Sequence, residues 1–359
     1  MQTVNNLDKA LLAAHSASSA DNSQPWAFEI DGELVRVCAV PADTPGPFGA
    51  NSPATLLAIG GVIENLSAAS AHYGLELRER SIDADEQARG VHFAATIVAD
   101  DAGHTPATAC PVVARHTNRF AYRSDPLDEG DLAPLDQAHE GLARLKTFSG
   151  NNALADIARA VAAASRIRFQ TREIHEWLAR SLRYSNEEIV RGDGLDVHTL
   201  DLPPGGKAFL RFSREWNRMR WLNRLGVYRA MAAIEASRVA RGPTVVALIA
   251  PADRAGCIAA GRLMCRAWVA LNAQGIAVHP YYVVSDQLQR LREGTVPEPL
   301  AHEAHALERT APQLFGLNAG ETLHMLLRVG YPTREPARSL RRPLTSVVRV
   351  LHPSRNPPD

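Results

Sequence analysis

Two long helix patterns in this chain share one spacing of glycine residues. The first runs from Gly60 to Gly74 and the second from Gly261 to Gly275, and the residues between are mostly small or apolar. An apolar run that suits a β-strand follows each terminal glycine. The repeat predicts two similar α+β units whose helices pack together about an internal pseudo-two-fold. Because helix, glycine and strand follow one another in many unrelated proteins, chance explains the spacing alone equally well.

The charge balance of the chain argues against some classes of binding partner. Lys+Arg and Asp+Glu both number 39, and 45% of the 359 residues are hydrophobic. General binding to nucleic acid or to a membrane surface is therefore not expected.

Without an evident signal segment or an uncharged run that could cross a bilayer, we expect a cytoplasmic protein. The cysteines lack metal or disulfide spacing and are expected to be buried thiols: Cys38, Cys110, Cys257 and Cys265.

Hydrophobic periodicity predicts a mixture of helices and strands. Helices are expected at 7–15, 55–73, 127–138, 152–190, 208–239 and 258–274. Strands are expected at 27–30, 34–40, 75–80, 91–99, 142–148, 244–250 and 276–284. Residues 100–111 are typical of a linker.

Residues 17–26, ASSADNSQPW, form a loop after the first predicted helix. A helix cap needs one hydrogen-bonding side chain, and this loop has five. A second segment, RHTNR, places Arg115, Thr117 and Arg119 at alternating positions, so that an extended chain could point them one way. Guanidinium groups bind phosphate bidentately and keep their charge. Taken alone, solvated arginines before an ordinary helix are the favoured interpretation of this segment.

Together these segments resemble the nitroreductase family of FMN-dependent oxidoreductases. Residues 17–26 resemble the family's APSxxNxQPW loop, with Ser18 in place of the usual proline, and 115–119 resemble its RxSxR-like segment. Residues 275–280, GIAVHP, resemble a G-x-x-x-x-P strand. Gly330-Tyr-Pro332 and Arg342-Pro-Leu344 resemble the family's tail. The resemblance covers most of the chain outside about 150–235.

The order of these segments is unusual for the family, because the loop precedes the arginine segment. This order is similar to that of the fused, Acg-type branch, in which complementary halves of two units build one complete site. The resemblance implies a nitroreductase-like α+β fold duplicated in one chain, with antiparallel or mixed sheets flanked by helices. The expected units are residues 1–105 and 112–346, with a helical insertion at about 150–235 and a tail at 347–359. A monomer that acts as a pseudo-dimer is expected, and further dimerisation is open.

The resemblance also implies which residues hold FMN. Arg115, Thr117 and Arg119 would bind the phosphate and ribityl chain, with Arg341 or Arg342 from the tail. The polar edge of the ring would contact the loop at 17–26 through Ser18, Ser19, Asn22 and Gln24. Flavin N5 would face the backbone N–H of Tyr282 or Val283, while Trp26 would pack below the loop. No side chain is expected to act as a nucleophile or base, because the flavin carries the chemistry.

The implied activity is hydride transfer from NAD(P)H through flavin N5 to a small electrophilic acceptor, such as a nitroaromatic compound or a quinone. Two alternatives stay open: an FMN storage or sequestration protein, and a specialised biosynthetic flavin oxidase or dehydrogenase. No G-x-G-x-x-G fingerprint follows a strand, so no separate nicotinamide domain is expected. No metal site is expected either.

The predicted insertion contains three tryptophans, Trp177, Trp216 and Trp221, and a run of arginines. These residues could form a lid over the flavin. Solvated helix faces and core packing are the more common roles of such residues. Arg191-Gly192-Asp193 is interpreted as a chance triplet, and His302 and His305 as part of a polar helix face.

Overall fold

The computed structural model describes residues 5–40, 46–99, 108–138 and 140–351. Most of the predicted linker, and the tail beyond residue 351, lie outside this range. Its α-helices are α1 (Asn6–His15), α2 (Pro53–His72), α3 (Ala84–Ala88), α4 (Glu129–Gln137), α5 (Asn151–Gln170), α6 (Arg172–Ser181), α7 (Asn186–Ile189), α8 (Gly206–Phe212), α9 (Trp216–Arg224), α10 (Val227–Ala240), α11 (Arg254–Ala273), α12 (Val283–Arg292) and α13 (Glu298–Phe315). Its strands are β1 (Trp26–Asp31), β2 (Leu34–Ala39), β3 (Leu75–Arg80), β4 (Val91–Ala99), β5 (Arg144–Ser149), β6 (Leu182–Arg183), β7 (Leu195–Asp196), β8 (Thr244–Pro251), β9 (Ala277–Tyr281), β10 (Glu321–Gly330) and β11 (Val348–Val350).

The strands form two main sheets, and this arrangement confirms the predicted α+β class. The first sheet has the order β11-β1-β2-β4-β3, and the second has the order β5-β8-β10-β9. All neighbours in both sheets are antiparallel except β1 and β11, which pair in parallel. The C-terminal strand therefore returns to the first sheet from the end of the chain. A third, two-stranded sheet joins β6 to β7.

The two main sheets follow one plan. In the first, α2 connects β2 to β3, and β4 inserts between those two strands. In the second, α11 connects β8 to β9, and β10 inserts in the same way. The predicted insertion lies between β5 and β8, where the first sheet has only the tight turn at Gly32.

The helices α2 and α11 pack directly against each other through their first glycines. A Cβ atom added at Gly60 would overlap the carbonyl oxygen of Ile258 and lie 2.9 Å from the Cα of Gly261. A Cβ atom added at Gly261 would overlap the carbonyl oxygen of Leu57 and lie 3.0 Å from the Cα of Gly60. Each glycine thus meets the carbonyl three residues before the other, and this reciprocal contact has the geometry of a local two-fold axis.

Three predicted elements are wrong in their extent. The helix expected at 152–190 is broken at Thr171, which is extended with φ −95° and ψ 115°. The helix expected at 208–239 divides into α8, α9 and α10, with left-handed Gly226 before the last of them. The strand expected at 276–284 ends at Tyr281, and a helix begins at Val283.

The core contains helix α2 itself. By length and composition this helix is apolar enough to cross a membrane, but 78% of its most apolar window is buried inside the fold. It packs against α1, α11 and the first sheet, around fully buried Trp26 and Phe28. The burial of Trp26 agrees with the predicted packing role.

Candidate functional site

The opening loop, residues 16–24, has a strained backbone. Asp21, Asn22 and Gln24 have positive φ angles of 46°, 60° and 51°. Aspartate and asparagine enter this region at modest cost, whereas glutamine seldom does. The loop is braced by Ser19, whose Oγ accepts a 2.9 Å hydrogen bond from the Gln24 amide. Such strain persists where the surrounding structure fixes it, which often happens at functional sites.

The side chains of Asn22 and Gln24 bind the backbone of distant segments. Asn22 Nδ2 donates to the carbonyl of Gly194 at 2.9 Å, and Gln24 Nε2 donates to that of Gly192 at 2.8 Å. Gln24 Oε1 accepts a 3.0 Å hydrogen bond from the amide of Arg342. Both side chains therefore fasten the loop to the insertion and to the tail. Their contact with a flavin ring stays a prediction, as does that of half-buried Ser18.

The Arg-Gly-Asp triplet of the insertion lies beneath the tail. Gly192 has φ 70°, and a Cβ atom there would overlap the carbonyl of Arg341 and lie 2.8 Å from the amide nitrogen of Arg342. Only glycine permits this approach and this backbone angle. The triplet is therefore part of the packing around the loop.

The arginine segment reaches the same loop. Buried Arg115 donates from Nη2 to the carbonyl of Ser16 at 2.9 Å, and its guanidinium lies 4.6 Å from the ring centre of Trp268. The amide of Asn118 donates to the carbonyl of Val278 at 2.9 Å, which fixes the segment along edge strand β9. Thr117, between these anchors, is half-buried.

The tail brings two more arginines to the loop. Arg341 Nη2 lies 3.2 Å from the carbonyl oxygen of Ser16 and 3.1 Å from that of Ala17. Arg342 Nη2 donates to the carbonyl of Gln24 at 2.5 Å. Three segments that are far apart in sequence thus converge on this loop.

Arg115 and Arg341 form an electropositive pair at this junction. Nε and Nη1 of Arg115 and Nε of Arg341 are buried without hydrogen-bond partners, and neither side chain forms an ion pair with a carboxylate in the described part of the chain. Burial, and then the charge of Arg115, lower the pKa of Arg341 to about 9. Both groups stay cationic at neutral pH. Unpaired N–H groups beside two charges fit a phosphate, which guanidinium groups bind bidentately.

Arg119 lies apart from this pair. Its Nη1 is 3.4 Å from Thr199 Oγ1 of the insertion, and Asp21 is the carboxylate that acts on its charge. Burial raises the pKa of Asp21, while Arg168 and Arg119 oppose that rise. Trp177 Nε1 donates to Asp21 Oδ2 at 3.0 Å. The structure therefore brings Arg115, but not Arg119, to the tail arginines.

The end of β9 forms another wall of the site. Tyr282 precedes α12 as its N-cap, and buried Val283 is the first residue of that helix. The ring of Phe48 stacks edge-on against Tyr282 at 6.2 Å and against Trp177 at 5.5 Å. Tyr282 and the opening loop are thus linked through Phe48, Trp177 and Asp21.

Of the three tryptophans predicted to form a lid, one lies over the opening loop. Trp177 contacts Asp21 and Phe48, as described above. Trp216 instead stacks on His175, and the side chain of Trp221 is exposed. Trp177 is therefore the lid tryptophan of the three that reaches the site.

Sequence reasoning did not single out His15. This residue is buried at the end of α1, where Nδ1 accepts a 2.9 Å hydrogen bond from Trp26 and Nε2 lies 2.9 Å from the carbonyl of Arg342. Burial lowers the pKa of His15 to about 4, so the neutral ring supports the loop and the tail together. In the sequence, its position on the apolar face of α1, next to the polar loop, indicates that the ring is buried near the site.

No group of three or more His, Cys, Asp or Glu side chains positioned to hold a metal occurs in the described ranges. Within α13, His305 Nδ1 lies 3.3 Å from Glu308 Oε2 on an exposed face. The four cysteines are buried free thiols, as expected.

Comparisons with known proteins give the following matches. No protein-family model matches the chain. An uncharacterised protein, MT1398, of Mycobacterium tuberculosis (strain CDC 1551 / Oshkosh) is 26% identical over 281 residues, which cover 75% of this chain. The chain spans 37% of the length of that relative.

Several of the solved structures that resemble the chain are nitroreductases or nitroreductase-like proteins. A nitroreductase-like family protein from Bacillus cereus is 15% identical, with 69% of this chain and 98% of that chain covered and a TM-score of 0.37. The FMN-dependent nitroreductase NfnB from Mycobacterium smegmatis, in complex with NADPH, is 17% identical, with 67% and 96% covered and a TM-score of 0.38. Nitroreductase A from Vibrio parahaemolyticus is 10% identical, with 69% and 75% covered and a TM-score of 0.35. At TM-scores below 0.5 these likenesses carry no weight for the site, which rests on this chain's own geometry.

Proposed function

We propose that the chain binds one FMN at the junction of opening loop, arginine segment and tail, and works as an NAD(P)H oxidoreductase for small electrophilic acceptors. The observation that carries this proposal is the pair of buried Arg115 and half-buried Arg341, which form no ion pair with a carboxylate of the described residues and whose unpaired N–H groups suit a phosphate. Arg342 from the tail and Thr117 from the arginine segment complete the phosphate end.

The opposite end of the cofactor would lie against the loop and the end of β9. Ser19, Asn22 and Gln24 hold the loop in its strained shape, and the backbone of Tyr282 or Val283 is the expected neighbour of flavin N5. When bound, FMN would accept a hydride from NAD(P)H and pass it to a nitroaromatic or quinone-like acceptor. The protein's part is to bind, orient and exclude water, with Phe48 and Trp177 closing the side of the insertion.

A single site is expected, because ion-paired side chains occupy the positions that the local two-fold relates to those beside Arg115. When Gly60 is matched to Gly261, Asn65 and Cys265 beside Arg115 correspond to Arg266 and Glu64. Cys265 Sγ lies 2.8 Å from Asn65 Oδ1, whereas Arg266 makes a bidentate ion pair with Glu64 at 2.7 and 2.8 Å.

Arg262 and Glu140 extend this ion-pair cluster. Arg262 lies 3.3 Å from Glu140, and Arg266 lies 3.0 Å from it. Both arginines of the cluster are therefore paired with carboxylates, which agrees with two units that descend from one duplicated ancestor and share one surviving site. We take the chain to be a cytoplasmic monomer that acts as a pseudo-dimer.

A second candidate function is FMN sequestration with little turnover. The covered position of the loop favours it, because Trp177 donates to Asp21 of the loop and the Gly192 carbonyl accepts a hydrogen bond from Gln24. A lid that stays closed would keep NAD(P)H from the ring. A dedicated flavin oxidase or dehydrogenase differs from both, because its flavin would be reduced by a substrate other than NAD(P)H.

An absorbance spectrum of the purified protein separates these functions. The oxidoreductase predicts a yellow protein with one FMN per chain, which bleaches with NAD(P)H and recovers when an acceptor is added. Yellow protein that NAD(P)H cannot bleach would support sequestration or another reductant. Trp177→Phe removes the donor to Asp21, so bleaching that begins only in this variant would identify the lid as the barrier. A colourless protein to which FMN does not bind would overturn the proposal.

A further inference from the structure

A second group of unpaired polar atoms lies beyond the proposed phosphate end, on one face of the second sheet. His279 and Tyr281 alternate along β9 and so point to the same face, with their ring centres 4.4 Å apart. His279 Nδ1 and the Tyr281 hydroxyl are both buried without a hydrogen-bond partner, and Tyr281 is only 7% exposed. Buried polar groups are nearly always paired, so these two atoms point to a missing ligand.

Arginine side chains surround these two atoms. Arg328 is the cross-strand partner of His279, and its guanidinium lies 4.0 Å from the ring centre of Tyr122. Arg328 Nη2 donates to the carbonyl of Phe120 at 2.6 Å, and its Nε is buried without a partner. We call the set Arg119, Arg328, His279 and Tyr281 the basic cluster.

The neighbouring acids leave the basic cluster with surplus positive charge. Asp201 pairs with Arg238, and Glu235 pairs with Arg168. Asp21 is the acid that faces Arg119, and burial raises the pKa of its carboxyl. Neither Arg119 nor Arg328 forms a carboxylate ion pair in the described residues. Burial, Arg328 and Arg119 lower the pKa of His279 well below its usual value, so its ring is neutral.

We propose that the acceptor reduced at this site carries a carboxylate, which the basic cluster binds through Arg119, the Tyr281 hydroxyl and the His279 ring. Arg119 supplies the charge, because Arg328 is already committed to the carbonyl of Phe120. A phenol and a neutral imidazole can each donate one hydrogen bond to a carboxylate oxygen. This proposal rests on the proposed function, since the basic cluster lies beside the wall formed by Tyr282 and Val283. It separates the acceptor end from the phosphate end at Arg115 and Arg341.

Binding of substrate-like acids tests the proposal without any turnover. Benzoate and benzamide, which have nearly the same shape, are titrated calorimetrically into the FMN-loaded protein. Benzoate is expected to bind at least about tenfold more tightly, because charged hydrogen bonds exceed neutral ones in strength. Arg119→Gln and Tyr281→Phe should each reduce that preference, and Arg123→Gln should not, because Arg123 is an exposed residue stacked on Tyr331.

Turnover then separates this proposal from the proposed function. With 4-nitrobenzoate and 4-nitrobenzamide as acceptors, the wild-type protein should show a lower KM for the acid and similar kcat values. Benzoate preference without any flavin bleaching would contradict the proposed function and leave the acid site intact. Equal binding of benzoate and benzamide, or an unchanged preference in both well-folded variants, would overturn the acid site. Weaker FMN binding by Arg119→Gln, with the acid preference retained, would also overturn it.

Discussion

Arg115 and Arg341 donate hydrogen bonds to the same atom, the carbonyl oxygen of Ser16, at 2.9 and 3.2 Å. Two guanidinium groups, one from the arginine segment and one from the tail, are therefore held next to each other, with Arg115 buried and Arg341 half-buried. Their burial and mutual repulsion are unfavourable in the absence of an anion. A bound phosphate dianion would offset both costs. The arrangement therefore lowers the stability of the protein without an anion and raises its affinity for phosphate.

The first prediction concerns the stability of the flavin-free protein. Arg341→Gln removes one of two repelling charges, which is stabilising, and loses the hydrogen bonds to the carbonyls of Ser16, Ala17 and Ser339, which is destabilising. We expect its free energy of unfolding to stay within about 1 kcal/mol of the wild-type value. Chemical denaturation measures this, with Arg349→Gln in exposed β11 as the control. A loss of several kcal/mol would mean that Arg341 is chiefly a structural residue.

The second prediction concerns acid stability. Burial lowers the pKa of His15 from 6.5 to about 4, so between these values the unfolded chain binds a proton that the folded chain does not. Stability from this group is present above pH 6.5 and is lost as the pH falls towards 4, by on the order of 3 kcal/mol. His15→Gln should unfold with a weaker pH dependence between pH 7 and 5. An unchanged slope would exclude His15 as the titrating group.

The third prediction concerns the crossing of α2 and α11. Gly60→Ala places a methyl group against backbone atoms of Ile258 and Gly261, which cannot turn away. We expect a loss of at least about 2 kcal/mol in the free energy of unfolding, typical of overpacked cores. Gly49→Ala is the matched control, because no atom lies within 4 Å of its added Cβ. Equal stability of the two variants would contradict the close crossing.

Much of this fold is predictable because it depends on local patterns. The Asp31-Gly32 turn predicts the hairpin. Apolar periodicity predicts α1, and periodicity followed by a terminal glycine predicts α2 and α11. The break at Thr171 and the start of α12 at Val283 depend on tertiary packing that local propensity does not encode. The pairing of β11 with β1 is parallel and links distant parts of the chain, so its short pattern gives no signal.

The fourth prediction concerns the ion-pair cluster. Glu64→Gln leaves Arg266 without its bidentate partner in a position where the Glu64 side chain is 12% exposed. We expect a loss of about 1–3 kcal/mol in stability. Glu76→Gln, which breaks the exposed pair with Arg78, should cost less than about 0.5 kcal/mol. Binding of a second FMN by Glu64→Gln would contradict the single-site account, which expects one FMN in both variants.

The candidate site was partly predictable for the same physical reasons. Arginine alternation and the polar loop identify the groups that converge on Ser16, because charge and hydrogen-bonding capacity are properties of the residues themselves. The separation of Arg119 from Arg115 follows from the contact with Thr199 in the insertion, which no local pattern predicts. The same holds for the engagement of Asn22 and Gln24 with glycine carbonyls.

The most direct test of the central claim compares the affinities of FMN and riboflavin, which differ by the phosphate alone. We expect the wild-type protein to bind FMN far more tightly than riboflavin. Arg115→Ala and Arg341→Gln should each weaken FMN binding by about 1.5–3 kcal/mol and leave riboflavin binding nearly unchanged, whereas Arg349→Gln should alter neither. Fluorescence quenching of each flavin gives the dissociation constants. Equal affinity for the two flavins, or an unchanged FMN preference in both folded variants, would contradict the assignment of Arg115 and Arg341 to the phosphate.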